Sequence, residues 1–221
     1  MSAVRREPKP AAEPTSVATP VGAAALIVDR PRTSPAGLLT LGHGAGGGVE
    51  APNLLAARGA ALDAGWAVAR VVQPYRVAGR RAPAPAAQLD VAWLAVLAVI
   101  RKRRGLGQVP LVVGGRSSGA RVACRTAAEA GAAGVIALAF PLHPPGRPDR
   151  SRAAELVDVG TPVLIVQGDR DAFGTAEDIA ALGINGVDVR CAVGSDHALR
   201  GASARDVIVE AVATLLASVS S

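Results

Sequence analysis

The sequence has 221 residues and a formal net charge of +6; half of its residues are hydrophobic and only 2% are aromatic. This length fits one large domain with a sizeable core of alanine, valine and leucine. The basic residues are nearly all scattered arginines, and few aromatic rings are present for base stacking, so the composition argues against a nucleic-acid-binding protein.

Along the chain, residues 1–20 hold four prolines and mixed charges, which predicts a disordered tail before a single domain at 21–221. Apolar runs then predict strands at about 22–28, 36–41, 66–72, 109–114, 134–139, 162–167 and 187–193. Helical patterns fill the gaps at about 51–64, 86–103, 118–130, 175–182 and 203–218. Because the strand runs are continuously apolar and alternate with helices, we expect a doubly wound, mostly parallel α/β sheet.

The location of the protein is predicted from its apolar segments and its cysteines. No apolar N-terminal run typical of a signal peptide is visible, and "VAWLAVLAVI" (91–100) is too short to span a membrane. Cys124 and Cys191 match no disulfide framework or metal-ligand spacing and are interpreted as buried thiols in a reducing compartment. We therefore expect a soluble cytoplasmic protein with no nucleic-acid or membrane partner.

Two glycine-rich stretches raise the question of nucleotide binding. "GGRSSGAR" has P-loop glycine spacing, but Ala120 and Arg121 stand where lysine and a hydroxyl residue are needed. "GHGAGG" (42–47) matches G-x-G-x-x-G after a strand, but the next strand ends at Gln73 and Pro74 instead of an acid that binds ribose. A Rossmann dehydrogenase remains a second enzyme class.

The same stretch also matches G-x-S-x-G over Gly115–Gly119, with a predicted strand before it and a predicted helix after it. Such a turn strains the serine backbone and needs small flanking residues, which glycine satisfies. The turn would present the Ser117 hydroxyl at the carboxyl edge of the sheet. There the N-terminus of the following helix favours a developing negative charge.

A nucleophilic serine needs a base and an acid that orients the base. His197, in "CAVGSDHAL", follows the last predicted strand, and Asp169 and Asp171, in "PVLIVQGDRDAFG", follow the strand before it. Ser117, Asp171 and His197 thus occur in the Ser–Asp–His order of α/β-hydrolases, each just past a strand. Asp169 lies next to the strand end and is expected to make a local turn hydrogen bond.

The loop "LTLGHGAGGG" has the composition of an oxyanion-binding loop. Backbone N–H groups that bind an oxyanion would come from Ala45 in this loop and from Ser118, directly after the nucleophile. His43 is expected to support the loop instead of titrating in catalysis. The alternative is a glycine-rich hinge without fixed geometry.

Over about residues 22–218 the chain resembles the α/β-hydrolase superfamily. More narrowly, it is similar to the dienelactone-hydrolase-like branch of the testis-expressed-protein-thirty and NSL-complex-subunit type. The motifs that carry this resemblance are "GHGAGGG", "PYRVAGRRAP", "GGRSSGARVA", "FPLHPPGRP", "VQGDRDAFGT" and "GSDHAL". The resemblance implies a compact hydrolase without a cap domain, and it favours Asp171, fourth in the Gly-x-x-Asp turn, as the acid of the triad. Ser118 departs from the methionine usual at that position.

Candidate substrate-binding residues follow two other strands. "PYRVAGRRAP" (74–83) supplies Tyr75, Arg76, Arg80 and Arg81, and "FPLHPPG" supplies His143. The arginines could clamp a carboxylate or phosphate, with ordinary surface charge as the alternative.

The sequence as a whole predicts a serine hydrolase that cleaves a small ester or related acyl bond without a metal or an organic cofactor. The competing hypothesis is a non-catalytic scaffold or protein-interaction subunit that retains the fold. The oligomeric state is left open, with a homodimer as one alternative.

Overall fold

The computed structural model describes residues 13–220. Its strands are β1 (Thr15–Thr19), β2 (Gly22–Asp29), β3 (Leu38–Gly42), β4 (Ala67–Val72), β5 (Leu111–Arg116), β6 (Gly134–Leu138), β7 (Val163–Gly168) and β8 (Val187–Ala192). Its helices are α1 (Pro52–Asp63), α2 (Pro74–Val77), α3 (Ala86–Arg101), α4 (Ser118–Thr126), α5 (Ala154–Val157), α6 (Ala176–Ala180) and α7 (Ala202–Ser220).

The strands form one sheet of eight in the order β1-β2-β4-β3-β5-β6-β7-β8. Adjacent strands are parallel from β4 to β8 in this order. The other two pairs, β1 with β2 and β2 with β4, are antiparallel. The predicted doubly wound, mostly parallel α/β architecture is confirmed.

The prediction of disorder is wrong at the end of the predicted tail. Residues 15–19 form β1 along the outer edge of β2, with Val17 paired to Ala24 and buried. The rest of the tail, residues 1–12, lies outside the described residues. The short helices α2 and α5 were not predicted, because four residues are too few to show a helical period.

Helices cover the sheet on both sides, and each side has its own core. Helices α3 and α4 pack on one face with Trp93, and α1 and α7 pack together on the other face with Trp66. Alternate residues of a strand enter opposite cores, as Val112 and Val113 of β5 do. This burial on both faces explains the unbroken apolar runs of the central strands.

The cysteines differ in environment. Cys124 is buried in α4, as expected, and burial raises the pKa of its thiol to about 12. Cys191 is exposed, and its predicted burial is wrong because β8 is an edge strand of the sheet. In the described part of the chain, no helix is long and apolar enough to cross a membrane.

The sheet order places the candidate site at its centre. The chain leaves β3 for β4 on one side and returns to β5 on the other, with Gly42 paired to Gly115. A crevice opens where the carboxyl ends of such strands diverge, and α/β proteins bind ligands there.

Candidate active site

Ser117 occupies a strained turn between β5 and α4. Its backbone has φ 53° and ψ −110°, and its N–H donates to the carbonyl of Leu138 at 2.9 Å. A Cβ at Gly115 or Gly119 would lie 2.5 or 2.4 Å from the Gly42 carbonyl oxygen, so neither position accepts a larger residue without movement of the backbone. The predicted elbow is therefore present, and its glycines allow β3 and α4 to approach closely.

The structure brings Ser117, His197 and Asp171 into one hydrogen-bonded chain. His197 Nε2 lies 2.9 Å from Ser117 Oγ, and His197 Nδ1 lies 2.8 Å from Asp171 Oδ2. An ionised carboxylate only accepts hydrogen bonds, so Nδ1 carries the proton and Nε2 is left to accept the serine proton. The His197 side chain is 19% exposed and that of Asp171 is fully buried. Solvent and substrate therefore reach this hydrogen-bonded series from the side of Ser117.

Asp171 is held by groups that orient both of its oxygens. The Phe173 N–H donates to Oδ1 at 2.8 Å, and Gln167 Nε2 donates to Oδ2 at 2.9 Å. Asp169 is exposed and makes no side-chain hydrogen bond within residues 13–220. The expected turn hydrogen bond of Asp169 is therefore wrong, and the acid that contacts His197 is Asp171.

The loops that carry the acid and the histidine lie directly against each other. A Cβ at Gly168 would lie 2.1 Å from the Ser195 carbonyl oxygen. Asn53, at the start of α1, donates to the Ala198 carbonyl at 3.0 Å and so supports the histidine loop from the other side. The Phe173 ring lies 4.1 Å from the His197 ring, centroid to centroid, and restricts its tilt.

The glycine-rich loop after β3 abuts the serine. A Cβ at Gly44 would lie 3.5 Å from Ser117 Cβ. Neither the Ala45 nor the Ser118 N–H has a hydrogen-bond partner among the described residues, so both amides are free to bind another group.

His43 is buried and supports this loop, in line with its expected role. Its Nδ1–H donates to the Gly44 carbonyl at 2.8 Å, and its Nε2 accepts the Gln73 N–H at 3.0 Å. These partners require the neutral ring. Burial lowers the pKa of His43, and the nearby Arg76 guanidinium lowers it further.

Among the candidate substrate residues, Tyr75, Arg76 and Arg80 are neighbours at α2, joined by hydrogen bonds from the Arg80 N–H to the Tyr75 carbonyl and from Arg76 to the Arg80 carbonyl. Tyr75 is 2% exposed, because α2 turns its ring inward, and its hydroxyl donates to the Ala45 carbonyl at 2.9 Å. Its predicted contact with substrate stays a prediction. Arg80 and Arg81 are exposed, and Arg80 lines a small recess with Val21 on the side of β1. The predicted anion clamp at these arginines stays a prediction.

His143 is half-buried near the site. Its backbone N–H donates to the Phe173 carbonyl at 3.0 Å, and Phe173 is the residue whose ring packs on His197. A role as a wall of the substrate site also stays a prediction.

Three supporting side chains were missed by the sequence analysis: Asn53, Gln167 and Arg116. Arg116 donates to the His197 carbonyl at 3.2 Å, and its Nη1 would lie 3.0 Å from a Cβ at Gly44. The sequence offered one signal for such a residue: Gln167 is a polar side chain near the end of an otherwise apolar strand. Among residues 13–220, no group of three or more His, Cys, Asp or Glu side chains is arranged to hold a metal ion.

The chain was compared with known proteins. Residues 35–220 match the family model described as an alpha/beta hydrolase domain. A search of curated proteins found no significant match.

Several solved structures share the fold. An alpha-beta serine hydrolase homologue from Coxiella burnetii is 20% identical with a TM-score of 0.75, over 96% of this chain and 99% of that one. A lid-less serine hydrolase from Xanthomonas campestris is 21% identical with a TM-score of 0.68, over 86% and 87% of the two chains. A dienelactone hydrolase from Anabaena variabilis is 15% identical with a TM-score of 0.71, over 93% and 96%. Because the family model covers most of the sequence, the chain belongs to the alpha/beta hydrolase domain family.

Proposed function

We propose that the protein is a serine hydrolase that cleaves a small ester or related acyl bond through an acyl-enzyme on Ser117. The observation that carries this proposal is the hydrogen-bonded chain from Ser117 through His197 to the buried Asp171. The strained backbone of Ser117 supports it, because strain at such a position is retained where function requires the geometry.

In the first half of the proposed reaction, Ser117 Oγ attacks the substrate carbonyl carbon while His197 Nε2 takes the hydroxyl proton. Asp171 stabilises the resulting imidazolium. The carbonyl oxygen becomes an oxyanion, which the Ala45 and Ser118 amides bind at the N-terminus of α4. The bond between the acyl carbon and the leaving oxygen then breaks, and the leaving oxygen receives the proton from His197.

In the second half, water attacks the acyl-enzyme and His197 takes one of its protons. Collapse of this second tetrahedral intermediate releases the carboxylic acid, and His197 returns its proton to Ser117 Oγ. The steps use only these side chains, the two backbone amides and water.

The finer identity of the enzyme is also part of the proposal. The motifs "PYRVAGRRAP" and "FPLHPPGRP" favour the dienelactone-hydrolase-like branch of the testis-expressed-protein-thirty and NSL-complex-subunit type over general carboxylesterases. A cytoplasmic location is consistent with two unpaired cysteines.

Labelling with a fluorophosphonate, which reacts with activated serines, tests the proposal directly. We expect one covalent adduct on Ser117, located by peptide mass spectrometry, and no adduct in Ser117→Ala. Ser118→Ala is the matched control, because it changes the adjacent hydroxyl and keeps the backbone amide. Absence of labelling in folded protein would favour the non-catalytic scaffold.

A further inference from the structure

The backbone of residues 43–48 is too rich in glycine to fix the direction of its amides without hydrogen bonds to its carbonyls. It holds four glycines, and a Cβ at Gly46 or Gly48 would meet nothing within 4 Å. Glycine restricts the backbone little, so an isolated loop of this kind would sample many orientations of its N–H groups. Hydrogen bonds to the loop carbonyls must therefore select one orientation.

Two consecutive carbonyls of this loop are held by hydrogen bonds. The Gly44 carbonyl accepts from His43 Nδ1 at 2.8 Å and from the Gly47 N–H at 3.1 Å. The Ala45 carbonyl accepts from the Tyr75 hydroxyl at 2.9 Å. Both peptide units that flank the Ala45 Cα are thus fixed, one by His43 and one by Tyr75.

Fixing a carbonyl also fixes the N–H of the same peptide unit. The described peptide bonds are trans, and in a trans unit the C=O and N–H point in opposite directions. The Ala45 N–H is therefore directed away from His43, and the Gly46 N–H away from Tyr75. Neither N–H has a hydrogen-bond partner in the part of the chain that the structure describes.

Tyr75 is suited to anchoring the loop. Its ring is buried next to that of His43, with centroids 5.9 Å apart, and so is held in place by packing. Burial raises the pKa of its hydroxyl, so the group keeps its proton and remains a donor. Pro74 begins α2 and gives a rigid start to the turn that carries the ring inward.

We propose that Tyr75 is a positioning residue of the oxyanion site: its hydroxyl bond to the Ala45 carbonyl fixes the peptide unit after Ala45 and so holds the loop in the conformation in which the Ala45 amide binds the oxyanion. This inference rests on the proposed function. Because the oxyanion exists only in the transition state and the tetrahedral intermediates, loss of this bond lowers kcat and leaves substrate binding nearly unchanged.

The first test is Tyr75→Phe, which keeps the ring and removes the hydroxyl. Loss of one complete oxyanion donor costs about 10²–10³ in kcat, and a donor that is only loosened should cost about tenfold. We expect kcat for a small neutral ester to fall by that factor while KM stays unchanged. Affinity for an alkyl boronic acid, which forms a tetrahedral adduct on serine, should fall in parallel. The pH at which kcat is half-maximal should not move, because His197 is untouched.

Ile100→Val is the matched control. Ile100 is buried near the end of α3, in the core that contains Trp93. Its loss of one methyl group should lower Tm by an amount similar to the loss of the tyrosine hydrogen bond. A purely structural role for Tyr75 predicts that both variants lose Tm and keep wild-type kcat.

A second measurement uses the fact that Tyr75 is the only tyrosine in the chain. Biosynthetic incorporation of a trifluorotyrosine, whose phenol ionises at lower pH, changes this position alone. A phenolate cannot donate to the Ala45 carbonyl, so kcat should fall on the alkaline side together with the ionisation seen by fluorine NMR. Ionisation without loss of kcat would overturn the proposal.

The outcomes separate this inference from the proposed function. If wild-type protein is labelled at Ser117 and Tyr75→Phe keeps full kcat and boronate affinity, the positioning role is wrong and the hydrolase remains. If wild-type protein is not labelled, the proposed function itself fails.

Discussion

At the scale of single residues, the candidate triad is defined by which atom carries each proton. Asp171 accepts from Gln167 and Phe173 as well as from His197, so its carboxylate cannot rotate away. The imidazole is consequently held with Nδ1 protonated and Nε2 directed at Ser117. The proposed activity of Ser117 thus depends on the hydrogen bond that His197 makes to Asp171 on the far side of the ring.

Asp171→Asn tests this dependence. The asparagine amide can donate to Nδ1, which would leave the proton on Nε2 and remove the base. In serine proteases the same change costs about 10⁴ in kcat, and we expect a loss of similar size with little change in Tm. Steady-state hydrolysis of a chromogenic ester measures it.

Asp169→Asn is the matched control for that measurement, because it makes the same chemical change two residues away on an exposed side chain. We expect wild-type kcat for this variant. A collapse of turnover in Asp169→Asn with activity retained in Asp171→Asn would reverse the assignment of the acid.

At the scale of elements, the site depends on close backbone contacts between loops from different strands. Glycines at 115 and 119 let the elbow approach β3, and Gly168 lets the loop after β7 approach the histidine loop after β8. The spacing of the triad is therefore set by backbone-to-backbone contact.

Gly168→Ala should separate the acid from the histidine. The added Cβ would lie 2.1 Å from the Ser195 carbonyl oxygen, so the two loops must move apart. Overpacking of this kind costs about 1–3 kcal/mol in the free energy of unfolding. A displacement near 1 Å at a catalytic group costs about 10² in rate, so we expect kcat to fall by roughly that factor.

Gly59→Ala is the control for the Gly168 variant. Gly59 lies inside α1, and a Cβ there would meet nothing within 4 Å. The change should stabilise the protein by about 0.5–1 kcal/mol, because alanine has less backbone freedom than glycine in the unfolded chain and loses less on forming a helix. It should leave kcat unchanged. Equal kinetics in the two variants would show that contact at Gly168 is not needed.

At the scale of the whole molecule, stability depends on pH through a buried neutral histidine. The folded protein holds His43 with a pKa below the ordinary value of 6.5, so below that pH the unfolded chain binds more protons than the folded one. Stability therefore falls as the pH drops from about 6.5 to the folded pKa and levels off below it, as far as this group is concerned. Above 6.5 the histidine is neutral in both states and contributes no pH dependence.

His43→Asn should remove this contribution. Urea unfolding of the wild type and the variant over a pH series gives the difference in their free energies of unfolding. We expect this difference to be constant above pH 6.5 and to shift in favour of the variant as the pH falls below it. Parallel pH profiles would contradict a depressed pKa at His43.

The sequence by itself determined the alternation of strands and helices, the position of the elbow and the order of Ser117, Asp171 and His197. These features depend on apolar periodicity and on glycines close to the serine, which are local properties of the chain. The tertiary structure decided which neighbour each residue meets. Strand β1 forms because β2 offers it an open edge, and α2 turns Tyr75 inward onto Ala45. Cys191 is exposed because no strand among residues 13–220 pairs beyond β8. Burial and hydrogen-bond partners come from segments distant in the chain, and no local pattern in the sequence specifies them.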